Sequence, residues 1–174
     1  MNEFRRDLKW SHGQSDQPWW EEVYRAAFPS FSAMHEVRKD GWAQRGGIDR
    51  QVLLADGTVL KIDEKVRRTS YPDFCLEYWS DEARKVPGWI AKPLTCDFIA
   101  YAFAPTATCY VLPFQLLRSA WKSNRKEWVA TYRPPIRAEN PGYTTVSVAV
   151  PIAVVLESLS GAMTVKWTSK SEAA

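Results

Sequence analysis

Gly47–Arg68 reads GIDRQVLLADGTVLKIDEKVRR, and the way this stretch pairs with itself decides the fold around it. Val52, Leu53 and Leu54 precede Ala55-Asp56-Gly57, and Val59, Leu60 and Ile62 follow it. Glycine accepts the positive φ of a tight hairpin loop, so the stretch reads as one β-hairpin. A two-residue Asp-Gly loop would set Asp49 opposite Glu64. A three-residue Ala-Asp-Gly loop, with Gly57 left-handed, would set Asp49 opposite Asp63. Strand side chains alternate between faces, so Asp63 and Lys65 share a face in either register. Only the longer loop adds Asp49 to them, and it turns Ile48, Val52, Leu60, Ile62 and Val66 together to the other face. That register is expected because it sorts the charges from the core.

Two carboxylates a few ångströms apart repel each other unless a hard divalent cation sits between them. Such a cation polarises a phosphodiester and lowers the pKa of a bound water. A lysine beside it orients that water and offsets charge developing on phosphate. Asp49 followed by Asp63-x-Lys65 across a hairpin resembles the PD-(D/E)xK nuclease superfamily, with Gly47-Ile48-Asp49 and Asp63-Glu64-Lys65 as its half-motifs. The usual proline before the first Asp is Ile48 here, and Glu64 stands where an apolar residue is commoner. In the three-residue register Glu64 lies diagonal to Arg50 on the core-facing side, so the two can pair.

The resemblance covers residues 15–112 best, and GxDR…IDEKVR, a PGW segment and DFIAY are similar to small phage and prophage nucleases. It implies a restriction-endonuclease-like α/β core, a central mixed sheet with a hairpin-borne active site flanked by helices. It also implies Asp49 and Asp63 as metal ligands, Lys65 as the catalytic lysine, and DNA as the partner. An N-terminal helix of that family often adds a Glu to the metal site, which makes Glu21 a candidate ligand. An ordinary first-turn Glu favoured by the helix dipole reads equally well.

Composition narrows the alternatives. The chain has 174 residues, enough for one domain with a sizeable core. Residues 1–14 read as a polar, loose N-terminus, 15–167 as a single domain and 168–174 as a frayed tail. No apolar run is long enough to span a membrane, and MNEFRRDLKWSHG lacks the apolar core of a secretion signal, which points to the cytoplasm. Cys75, Cys96 and Cys109 fall in apolar segments without metal-ligand spacing and read as small buried hydrophobes. With only His12 and His35 for imidazole chemistry, a bound metal would take oxygen ligands, so Mg2+ or Mn2+ fits better than zinc. A net charge of +3 permits a polyanionic partner without demanding one. Nine tryptophans are many for this length; some belong to the core, and exposed aromatics can also stack on bases.

Along the chain, Ser15-Asp16-Gln17-Pro18 starts a helix whose stripe is Trp20, Val23, Tyr24 and Ala27. Phe31–Asp40 reads as a strand or a short helix. Phe74–Trp79 reads as a strand with Glu77 on the face of Cys75 and Trp79, either a further acidic site residue or half of a structural ion pair. Asp97–Phe103 and Thr108–Leu112 form a second strand pair. Pro113–Tyr132 is a helix with Arg118, Lys122, Arg125 and Lys126 outside its apolar stripe. That basic face, like the Lys61, Lys65 and Arg67 edge, is either ordinary solvated surface or a clamp for DNA phosphates. Arg137–Tyr143 reads as a loop, Thr144–Val150 as a strand, Pro151–Met163 as a helix and Val165–Trp167 as a short last strand.

The leading function is a divalent-metal-dependent deoxyribonuclease. A catalytically inactive nucleic-acid-binding or protein-interaction module on the same fold is the alternative, followed by a structural protein with a chemically idle hairpin. Oligomeric state, a homodimer included, is open at this level, as is DNA against RNA.

Overall fold

A computed structural model describes residues 13–14 and 16–168. The expected loose N-terminus and frayed tail fall almost wholly outside the described residues. So does Ser15 of the helix-start signal. The chain is mixed α/β and forms two compact units. One takes residues up to Ser70, Thr95–Leu112 and the stretch from Met163 on, and the other takes Tyr71–Leu94 and Pro113–Ala162.

The first unit holds α1 (Trp19–Ala27), β1 (Phe31–Glu36), α2 (Gly41–Gly46), β2 (Arg50–Leu54) and β3 (Val59–Arg67). The chain returns to it as β6 (Phe98–Phe103), β7 (Thr108–Pro113) and β10 (Met163–Lys166). Its six-stranded mixed sheet has the order β1-β2-β3-β6-β7-β10, antiparallel at β1–β2, β2–β3 and β7–β10 and parallel at β3–β6. The segment Phe31–Asp40, open from sequence, thus resolves into an edge strand and a turn.

The hairpin adopts the three-residue register. Leu53 pairs with Val59 and Arg50 with Ile62, where the ladder ends, and the Asp49 N–H joins it at the Ile62 carbonyl. Gly57 is left-handed at φ 85°, and the Leu54 N–H reaches the Thr58 carbonyl at 2.9 Å. Asp56 closes the loop from inside, its Oδ1 accepting the Thr58 N–H at 2.9 Å, the side-chain-to-backbone bond that makes Asp a turn residue. Val52 and Ile62 are completely buried, and Leu60 and Val66 pack on the same cluster. Trp20, Val23 and Tyr24 of α1 cover it, with Ala100, Ala102, Cys109 and Val111 beneath. The α1 stripe read from sequence is the face that is buried.

The second unit holds β4 (Asp73–Asp81), β5 (Val86–Pro87), α3 (Phe114–Thr131), β8 (Ile136–Asn140), β9 (Tyr143–Pro151) and α4 (Ile152–Glu157). Its four strands run antiparallel in the order β5-β4-β9-β8. β8 corrects the loop expected at Arg137–Tyr143. It is an edge strand exposed along nearly its whole length, so no hydrophobic alternation marks it. Pro141-Gly142, with Gly142 at φ 85°, is the turn that returns it to β9. The last helix is shorter than its apolar pattern, ending at Glu157 before Gly161 takes φ 74°. Among the described residues no helix is long and apolar enough to cross a membrane.

Candidate active site

β3 presents two unlike faces. Glu64 turns inward with Ile62, where Arg50 Nε meets its Oε1 at 2.5 Å and the Tyr24 hydroxyl donates to the same oxygen at 2.7 Å. Arg38 Nη2 stands 3.7 Å from Glu64 Oε2, and Arg38 Nε 3.6 Å from Glu36. This pairing of Glu64 with Arg50 is the one anticipated from register. The apolar stripe of α1 gives Tyr24 no polar role; its buried hydroxyl requires a partner, and that need is the available signal. Burial pushes the Glu64 carboxyl up, opposed by its bonds to Arg50 and Tyr24.

The other face carries Asp63 and Lys65. Asp63 is only 3 % exposed, and Lys65 Nζ sits 2.5 Å from its Oδ1. Asp49 arrives from α2 through a left-handed Gly47 at φ 67°, with the Ile48 N–H tied to the Ala43 carbonyl at 2.9 Å. Its own N–H bonds the Ile62 carbonyl at 2.8 Å, and its Oδ2 accepts the Glu64 N–H at 2.8 Å. The Asp49 carboxylate is thereby seated on the peptide that follows Asp63, where its charge acts on the Asp63 carboxyl. Burial pushes the Asp63 carboxyl up to about 7 against the pull of Lys65, and the charge of Asp49 adds to the rise. The Lys65 ammonium feels burial pulling it down, but Asp63 and Asp49 together hold it above its ordinary value.

A strap that sequence reading missed borders the pair. The Thr95 N–H bonds the Gly46 carbonyl at 2.9 Å, and the Asp97 N–H bonds the Lys61 carbonyl at 2.7 Å. Asp97 Oδ2 accepts the Lys61 N–H in return at 2.8 Å. Cys96, between these ties, is buried beside Asp63 and Lys65, and its thiol is pushed up to about 12, first by burial and then by Asp63. Burial thus disfavours the thiolate that a nucleophile needs. The approach at Gly46 is tight, since a Cβ there would stand 2.5 Å from Thr95 Oγ1.

Of the remaining sequence candidates, Glu21, Lys61 and Arg67 belong to the first unit and Glu77, Arg118, Lys122 and Arg125 to the second. Glu21 is on the exposed side of α1, paired with Arg25 at 2.7 Å. Glu77 belongs to the second unit, on β4, its carbonyl accepting the Ile90 N–H at 3.2 Å. Arg67 Nη1 bonds the Tyr101 hydroxyl at 3.1 Å, and the Lys61 side chain is half-buried. On α3, Lys122 is exposed, whereas Arg118 is half-buried with its Nε shielded and bare of a hydrogen-bond partner. Arg125 lies over the rings of Tyr78, Trp79 and Trp121 at 5.7, 5.3 and 5.9 Å, so cation–π attraction competes with any phosphate contact.

Among the described residues no group of three or more His, Cys, Asp or Glu side chains is placed to hold a metal ion. Two facing carboxylates fit Mg2+ or Mn2+ nonetheless, because Mg2+ is commonly held by one or two carboxylates and completes its shell with water and substrate phosphate.

The raised Asp63 carboxyl has a consequence for the metal-free protein. Its folded pKa lies above its unfolded value near 3.8, so the stability it contributes is present below that value and lost as pH rises through about 7. Asp63→Asn is expected to raise the melting midpoint in EDTA, and to raise it by roughly 5 °C more at pH 8 than at pH 5. A gain independent of pH would place the burden on another group.

No protein-family model matches the chain, and no curated protein or solved structure matches it.

Proposed function

We propose that this protein is a Mg2+- or Mn2+-dependent nuclease that hydrolyses DNA phosphodiester bonds, with a restriction-endonuclease-like core around the β2–β3 hairpin. The observation that carries the reading is the Asp49 carboxylate seated on the amide of Glu64, next to Asp63, with Lys65 bonded to Asp63. A carboxyl pushed toward neutrality by burial, with a second carboxylate adding to the rise, is a site in want of positive charge. Bound there, the cation would polarise the phosphodiester and acidify an attacking water. Asp49 and Asp63 would hold it, and Asp49 is kept in place by the Glu64 amide. Lys65, held beside the site by its bond to Asp63, would stabilise the charge that develops on the phosphate. Lys61 and Arg67 extend the positive edge along β3 in one unit, and Arg118, Lys122 and Arg125 add positive charge to α3 in the other.

A calorimetric Mg2+ titration, run beside a plasmid-nicking assay with Mg2+ and with EDTA, tests this directly. Saturable binding in the wild type, none in Asp49→Ala, and nicking only with Mg2+ are expected. A wild type that takes up no Mg2+ or Mn2+ overturns the reading.

A second reading has one observation in its favour. The Lys65 ammonium already neutralises Asp63 without any metal, as it would in a catalytically inactive nucleic-acid-binding module. Salt-sensitive DNA binding with no metal uptake would select that module instead.

A further inference from the structure

Trp42 is the most exposed large hydrophobic residue among those described, at 82 %. Every other described tryptophan is buried or half-buried. Asp40 caps α2 by accepting the Trp42 and Ala43 N–H groups at 2.7 and 3.3 Å. Gly47 closes the other end in the left-handed conformation, and Thr95 packs tightly on Gly46. The indole is therefore held out to solvent by a turn pinned at both ends. That same turn hands the chain to Asp49, seven positions on.

Charge completes the picture. The Arg45 guanidinium lies 5.6 Å from the centre of the Trp42 ring, and both Arg45 and Lys39 are exposed. Asp40, the acidic neighbour, is engaged in capping. Gly41 and Gln44 beside the ring are exposed too, so the indole is a lone aromatic in polar, cationic surroundings. A protein-docking surface would extend the apolar patch around it. A ring backed by arginine, with a second cation close by, is the combination that stacks a base and holds its phosphates.

We infer that Trp42 and Arg45 form a stacking platform for an unpaired nucleotide, so that the substrate class is single-stranded nucleic acid or a duplex with a frayed or flapped strand. The inference rests on the nuclease reading for its link to cleavage, but stacking itself needs no metal. A base within a duplex is stacked on its neighbours and cannot offer its face, so the platform discriminates by strandedness and not by sequence.

The test measures fluorescence anisotropy of the full chain, with Ca2+ replacing Mg2+, on two labelled probes. One is a thymidine oligonucleotide of about 12 nucleotides, long enough for one platform, and the other is a blunt duplex of similar length. Trp42→Ala is expected to weaken single-strand binding about tenfold or more and duplex binding less than about threefold. Trp42→Phe should restore most of the difference, since it returns an aromatic face. Because the indole is exposed, thermal melts should show Trp42→Ala as stable as wild type. Unchanged single-strand affinity in Trp42→Ala, or equal loss on both probes, overturns the platform, as does a wild type that binds neither. The two readings fail separately. Cleavage that persists while Trp42→Ala changes nothing removes the platform alone. Selective loss of single-strand binding in a protein that takes up no Mg2+ keeps the platform and removes the nuclease.

Discussion

Asp63→Ala is expected to cut magnesium-dependent DNA cleavage by at least about a thousandfold while leaving the chain folded. The side chain removed is a buried carboxyl that repels Asp49 and is pushed up to about 7 by its burial, so the metal-free fold loses little with it. What is lost is one of two oxygen donors to the cation, together with the partner that orients Lys65 at 2.5 Å. Single-turnover nicking at saturating Mg2+, alongside circular-dichroism melts, measures both halves of the statement. Cleavage within about tenfold of wild type would mean that the chemistry resides away from this hairpin.

Glu64→Ala, one residue along, should fail in the opposite way. Glu64 holds Arg50, Tyr24 and, at longer range, Arg38 on the covered face of β3. Truncating it leaves the Arg50 guanidinium buried without its counter-charge and the Tyr24 hydroxyl without its acceptor. Breaking one side of a buried ion pair typically costs about 3–5 kcal/mol, a large fraction of the stability of a domain this size. Urea unfolding reads that loss. Metal binding by the fraction that remains folded should stay near wild type, because Asp49 is held by the backbone N–H of Glu64 and not by its side chain. Equal loss of Mg2+ binding in Glu64→Ala and Asp63→Ala would show that the two faces of β3 are not separate in function.

The centre of the site was legible in the sequence because both of its determinants are local. Ala55-Asp56-Gly57 dictates the loop, and the alternation of Leu60, Ile62, Glu64 and Val66 with Lys61, Asp63, Lys65 and Arg67 dictates the faces. Arg50 and Glu64 were readable as partners for the same reason. The strap at Thr95–Asp97 was not, since its ties to Gly46 and Lys61 are mostly backbone bonds that any side chains permit. β8 was missed because an exposed edge strand carries no apolar period. Glu21 sits where a helical stripe meets solvent, so its spacing fits either direction, and its bond to Arg25 decides for solvent. Arg125 reads as a free cation on a helical wheel, because nothing in that wheel reveals rings arriving from β4.

The unequal faces of β3 also determine where this chain tolerates a change in length. A residue added within Ala55–Gly57 lengthens an exposed tip and leaves every pairing beyond it intact. A residue deleted between Thr58 and Ile62 moves each later side chain to the opposite face. Asp63 and Lys65 would then point among Trp20, Val23 and Tyr24, while Glu64 would turn away from Arg50 to the opposite face. Homologous sequences aligned on this hairpin should therefore vary in the tip and keep a constant count of residues from its end to the Asp-x-Lys triplet.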